Sequence, residues 1–348
     1  MVLNKRKLFE KIFAPKNKER VLILVDEPCD NITDNQAWKE RRMMAKEWYE
    51  ILRDMGSEIG FSVELLTYKA TGQHNKPLPS DLKNKLHRYH LILAMTQFSA
   101  TTSLVPICRA KNSITRCVSM PLIEKRMERT SFLANYQEVK EYAIAIERLL
   151  TKSIAAKILF STGDKLFIDL RNRVGRSDTG ECYKPTQIIN FPSGEGYIAP
   201  YEATSEESNE FGPSKTKGVL PISYQEDIVK CIVKNNTIIE VTPDNNKSRQ
   251  LRKFFDEKIS RRNIAELGIG CNPKAVITGN LIEDEKAGLH IAYGTSSHIG
   301  GKITSDIHQD IVFAKGCPIE GKTLTMFLDG EKKIELIKNA KLRYDILQ

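Results

Sequence analysis

Apolar and polar positions follow two different rhythms along this chain, and the change falls near residue 153. In the first part, solid apolar runs alternate with stretches at helical spacing. VLILVDE (21–27) is a continuous apolar run ending in acids, the pattern of a strand buried on both faces. NQAWKERRMMAKEWYEILRDM (35–55) carries its apolar side chains at helical spacing, with Gly56 expected to stop it. Residues 62–68 read as a second strand, 79–89 as a short helix and 91–96 as a third strand. That alternation predicts βαβ units and a mostly parallel sheet. Residues 101–133 read as mixed helix and loop, and 136–151 as a helix with one broad apolar face.

Beyond this point short strands and turns take over. Strands are expected over 157–160, 165–171, 187–191, 218–224 and 227–242, the last a hairpin turning at Asn235-Asn236. The polar stretch 203–217 reads as an exposed loop. Residues 244–260 read as a helix with Asp244 as its cap. Strand-like segments alternate with turns from 264 to 313. The expected fold class is therefore α/β. An N-terminal α/β domain with a mostly parallel sheet covers 1–153, and a C-terminal mixed α+β domain covers 154–348.

Composition narrows the function classes. Apolar residues at 41% and charged residues at 28% suit a soluble globular protein able to build its own core. No apolar run is long enough to span a bilayer, so no membrane partner is expected. The basic first residues lack the apolar segment of a secretory signal, and the cytoplasm is the expected compartment. Seven cysteines without a CxxC pair suit neither a disulfide framework nor a zinc knuckle. The net charge of +9 raises the question of nucleic acid, but no aromatic-interleaved basic motif accompanies it, and no nucleic-acid partner is expected. No G-x-G-x-x-G follows the first strand, which removes support for a dinucleotide site.

Candidate chemistry concentrates between residues 264 and 313. Three of the six histidines, His290, His298 and His308, fall there. Glu266, Glu285 and Asp310 stand beside them in apolar or glycine-rich sequence, where an unpaired carboxylate is costly. His308 and Asp310 form an H-x-D pair; on a strand both would face one side, about 7 Å apart. Glu285 and His290 are separated by Lys286-Ala287-Gly288, a bend that could turn both inward. Glu195 lies between two glycines in NFPSGEGYIAP, a tight turn that lets backbone approach closely. Singly, each has a duller reading as an ion-pair partner or structural histidine. His298 reads as exposed, and His74, His87 and His90 as uninvolved in chemistry.

Four blocks carry a resemblance: NFPSGEGYIAP, IAELGIGCNPKA, EDEKAGLHIAYG and GGKITSDIHQDIVF, in this order. They resemble the signature blocks of the aminopeptidase T and aminopeptidase S family of metallopeptidases, over the whole second domain. The resemblance implies a metallo-aminopeptidase, a hydrolase acting on peptide substrates, with a homodimer and an enclosed site. It implies two divalent ions (zinc, cobalt or manganese) held by Glu195, Glu266, Glu285, His290, His308 and Asp310. Four carboxylates carry −4, which two divalent ions would neutralise. The implied mechanism is hydrolysis by an ion-activated water, with Glu195 or Glu266 moving the proton. The chain departs from the family where a tyrosine follows the histidine matched by His290; Thr295, Ser296 and Ser297 stand there, and Tyr293 or Tyr197 could take its part.

An alternative shares the fold. Ring-cleaving dioxygenases acting on dihydroxypyridines resemble these peptidases and use one iron, for which His290, His308 and Asp310 would supply a two-histidine, one-carboxylate triad.

Overall fold

The structure is a computed structural model and describes residues 3–29, 31–224 and 227–347. Its elements begin with α1 (Lys5–Ile12), β1 (Arg20–Glu27), α2 (Gln36–Ile59), β2 (Ser62–Lys69), α3 (Ser80–Leu86), β3 (Leu91–Met95), α4 (Thr101–Cys108), β4 (Arg116–Ser119) and α5 (Tyr136–Lys152). Next come β5 (Ser153–Phe160), β6 (Lys165–Asp169), β7 (Arg176–Asp178), β8 (Ile188–Asn190), β9 (Glu195–Ile198), α6 (Ser205–Phe211), β10 (Lys217–Tyr224), β11 (Asp227–Lys234), β12 (Thr237–Thr242) and α7 (Asn246–Glu257). The chain ends with β13 (Ile264–Gly270), α8 (Leu281–Asp284), β14 (Leu289–Gly294), β15 (His308–Val312), β16 (Gly321–Leu328), β17 (Lys333–Lys338) and β18 (Lys341–Leu342).

These elements form three sheets in two compact units. The first unit comprises Met1–Lys140 and Asp178–Ser193; the second comprises Glu141–Ser177 and Gly194–Gln348. The chain thus passes between units three times, where the sequence pattern predicts one passage near residue 153.

The sheet of the first unit runs β2-β1-β3-β4-β8 with every pair parallel, as the alternation of runs predicts. All five residues of β3 and six of the eight in β1 are buried, which is why those runs are solidly apolar rather than alternating. α2 is capped by Asn35, whose side chain accepts from Trp38 N at 2.8 Å, an arrangement worth about 1 kcal/mol. The helix does not stop at Gly56. It runs to Ile59 and ends at Gly60, which takes the left-handed conformation at φ 95°. Gly56 is instead a packing position, since a Cβ there would lie 2.4 Å from Phe61 O. The strand expected over 187–191 joins the first unit as β8, with Cys117 opposite Ile188. A strand of two isoleucines and an asparagine carries no mark of which sheet it will join.

In the second unit, an eight-stranded sheet runs β12-β11-β10-β6-β5-β16-β17-β18 with all pairs antiparallel. The β11–β12 hairpin turns at Asn235 (φ 50°) and Asn236 (φ 64°), the positive-φ pair that such a turn needs. Two local expectations change. The stretch read as an exposed loop contains α6, started by a capping box between Thr204 and Glu207. The cap of α7 is Asn245, which accepts from Ser248 N at 2.9 Å, while Asp244 is exposed and pairs with Arg252. One apolar core joins this sheet to a smaller one through Ile158, Leu166, Ile168, Leu267, Ile269 and Ile291. All seven cysteines are free thiols. Among the described residues no helix is long and apolar enough to cross a membrane.

Candidate functional site

The smaller sheet of the second unit has the order β15-β14-β13-β9-β7. Its register decides what each face carries, because side chains alternate along a strand and directly opposed residues share a face. Glu195 on β9 stands opposite Gly270 on β13, and Tyr197 opposite Gly268. Gly268 is opposite His290 on β14, and Glu266 opposite Ala292. Ala292 is in turn opposite Asp310 on β15, and Gly294 opposite His308. One face therefore bears Glu195, Glu266, His290, His308 and Asp310, interleaved with Gly268, Gly270, Ala292 and Gly294. Leu267, Ile269 and Ile291 alternate onto the opposite face and enter the apolar core. The apolar residues between the polar ones hold the sheet down, and the small ones leave the polar side chains room to meet.

They do meet. His290 Nε2 lies 3.4 Å from Glu195 Oε2 and 3.5 Å from Glu266 Oε1. His308 Nε2 lies 3.2 Å from Glu266 Oε2 and 3.6 Å from Asp310 Oδ1. Ligand-capable atoms of Glu266, His308 and Asp310 all fall within 4.8 Å of one another. Glu285 enters from a single turn, Glu285–Ala287, just before β14. Gly270 admits that turn, because a Cβ there would stand 2.2 Å from Glu285 O. All six side chains singled out in the sequence thus converge in the second unit.

A seventh is there that the sequence reading missed. Lys286 is fully buried, and its Nζ donates to Glu195 Oε1 and to Glu285 Oε1, each at 2.7 Å. Beside the acids of EDEK, this lysine has the look of part of a solvated charge run. Its position just before the apolar LHIAY strand is the one sequence signal of burial. His298 is exposed, as expected, but its ring stands edge-on to His308 with centroids 4.7 Å apart.

The imidazoles are oriented by backbone. His308 Nδ1 lies 2.7 Å from Thr295 O and His290 Nδ1 3.3 Å from Gly288 O. A carbonyl oxygen only accepts, so each Nδ1 carries the proton it donates, and each Nε2 is turned toward carboxylate oxygens. An Nε2 facing carboxylates calls for a cation between them, either a proton or a metal ion. That donor set of two imidazoles and several carboxylates fits a first-row divalent ion.

The electrostatics follow from this packing. Burial favours the neutral acid of Glu266, but hydrogen bonds from His290 and His308 outweigh it and hold the carboxyl well below its usual range. Burial likewise disfavours the charged form of His290. The Glu266 hydrogen bond and the charge of Glu195 overcome it and raise the imidazole to about 9. His308 is raised well above its ordinary value against the same burial cost, by Asp310 and Glu266. For Glu285 burial dominates, and with the neighbouring charges of Glu195 and Asp310 it lifts the carboxyl to about 7 against the pull of Lys286.

The loop between β14 and β15 is tied down by Glu202, which is buried. It accepts from Ser296 Oγ, from Asn263 Nδ2 at 2.9 Å and from Lys302 N at 2.5 Å, and it pairs with Arg173 at 3.4 Å. Of the two phenols singled out in the sequence, Tyr293 points into the core and packs against Phe255, ring centroids 5.2 Å apart. Tyr197 lies on the face that carries the cluster.

No family model matches the sequence, and no curated protein matches it. The fold is similar to those of several solved structures. One is 2,5-dihydroxypyridine dioxygenase from Pseudomonas putida KT2440, with TM-score 0.66 and 15% identity over 97% of this chain and 96% of that one. Another is AmpT, a peptidase from Thermus thermophilus, with TM-score 0.60 and 12% identity over 97% of this chain and 98% of that one. Both are enzymes. At such identities the likeness is one of fold.

Proposed function

We propose that this protein is a metal-dependent hydrolase that releases N-terminal residues from peptides. The observation that carries the reading is the convergence of Glu195, Glu266, Glu285, His290, His308 and Asp310 around one point of the second unit. A zinc, cobalt or manganese ion held by Glu266, His290, His308 and Asp310 would supply Lewis acidity to a water and to the scissile carbonyl. Glu266, set between two imidazoles and held as a carboxylate, suits a ligand better than a base. Glu195 reaches both His290 and Lys286, and it is the carboxylate placed to carry a proton from the water to the leaving amine. Tyr197 shares the face and can donate to the developing oxyanion. Glu285, in its ionised form, offers a partner for a free α-amino group. A pair of ions, as the family resemblance implies, would have to share Glu195 and Glu285 with Lys286.

The test is release of chromophore from aminoacyl nitroanilides by the protein supplied with zinc, cobalt or manganese, in air and under argon. Turnover in both atmospheres, lost in Glu195→Gln, is expected. Absence of release from every aminoacyl substrate with every ion would overturn the reading.

A second reading rests on His290, His308 and Asp310, which share one face of the sheet and are the two imidazoles and one carboxylate that would suit a ferrous ring-cleaving dioxygenase. Oxygen uptake by the iron-supplied protein with a dihydroxypyridine would establish it in place of the first.

A further inference from the structure

We propose that Lys286 stands in for a second cation, so that the centre takes one divalent ion per chain. The inference rests on the reading of this cluster as a metal centre. Glu195 and Glu285 are the two carboxylates that a second ion would have to share, and the Lys286 ammonium already lies 2.7 Å from an oxygen of each. An ion bound to those same oxygens at about 2.0–2.2 Å would be pressed against a like charge with no water between them.

The ammonium is held there. Lys286 O accepts from Asn272 N at 3.0 Å, and Gly288 O accepts from Gly270 N at 2.8 Å, so the turn bearing the lysine is clamped to the end of β13. The side chain is fully buried, and moving it to water would require that turn to open. On the other side of the cluster, Glu266, His308 and Asp310 offer atoms within 4.8 Å of one another, with His290 Nε2 3.5 Å from Glu266. That is a ligand set for one ion.

Charge agrees with this division. With all four carboxylates ionised, they sum with Lys286 and one divalent ion to −4 + 1 + 2 = −1, which the ammonium of a peptide N-terminus would cancel. Two ions give −4 + 1 + 4 = +1, which would repel it. Lys286 thus sets both the ion count and the residual charge offered to substrate.

The experiment is metal stoichiometry, read by elemental analysis after dialysis against zinc and by the EPR spectrum of the manganese-loaded protein. Wild type is expected to hold one zinc per chain and to show an uncoupled manganese signal. Lys286→Met, nearly isosteric and uncharged, is expected to hold two, with a spin-coupled signal. Lys286→Arg, which keeps the charge, is expected to stay at one. Two ions in wild type would overturn the inference while leaving the metal reading intact, and so would a folded Lys286→Met that holds one. No ion in wild type would remove the metal reading itself. Because wild type is informative alone, the proposal stays exposed even if Lys286→Met does not fold.

Discussion

Gly268 lies directly beneath the ring of His290: a Cβ built at residue 268 would stand 1.9 Å from His290 Nε2 and 2.4 Å from its Cε1. The imidazole rests on the bare backbone of the neighbouring strand, which lets Nε2 reach Glu195 and Glu266 at once. Gly268→Ala should therefore push the ring off its seat without removing any ionisable side chain. Strain of about 1–3 kcal/mol is expected in urea denaturation. Metal affinity should fall by roughly 10–100-fold, as when a ligand loses its orientation. Calorimetric titration giving wild-type affinity for zinc in this variant would show that His290 is not a ligand.

Glu202 ties down the loop that carries His308 into place. Its carboxylate gathers Ser296, Asn263, Lys302 and Arg173, and Ser296 lies next to Thr295, whose carbonyl receives His308 Nδ1–H. Glu202→Gln replaces an acceptor by a donor in a buried network and should cost about 1–3 kcal/mol. Limited proteolysis between 295 and 307 should accelerate. Turnover should fall more than substrate affinity, because His308 loses its fixed tautomer while the other groups stay in place. Unchanged cleavage of that loop would show that Glu202 does not order it.

How much of this centre could be read from the chain depends on the kind of signal. His308 and Asp310 are legible because a period of two on a strand puts both on one face, and Glu266 because an acid inside AELGIG needs a partner, ionic or metallic, to be buried there. Their meeting with Glu195 depends on register across β9, β13 and β14, which no local spacing encodes. Lys286 was missed because a lysine beside acids has the pattern of solvated charge; only its burial separates the two cases. The parallel sheet of the first unit is legible from solid apolar runs, yet the place of β8 in it is not, since two isoleucines and an asparagine carry no address. α6 did leave a trace, the Thr204 and Glu207 spacing of a capping box, in a segment whose polarity alone suggests a loop.

In the first unit Arg116 is almost fully buried, and its guanidinium pairs bidentately with Glu19, Nη1 to Oε1 at 2.7 Å and Nη2 to Oε2 at 2.8 Å. Nε donates to Cys182 O at 2.8 Å and Nη2 also to Phe13 O at 3.1 Å, so the arginine ties α1's exit and the segment before β8 to β4. Burial works to raise the Glu19 carboxyl, but the hydrogen bonds from Arg116 and Lys16 N outweigh it and hold it below its ordinary 4.5. A carboxyl lowered on folding contributes stability that is complete above its unfolded value and is lost as pH falls through its folded value. Glu19→Gln leaves a buried guanidinium without its counter-charge and should cost about 3–5 kcal/mol at pH 7. The gap between wild type and variant, measured by denaturation at each pH, should be constant above about pH 5.5 and narrow steadily below 4.5. A gap independent of pH down to pH 3 would mean that the pair acts through packing and not through its charge.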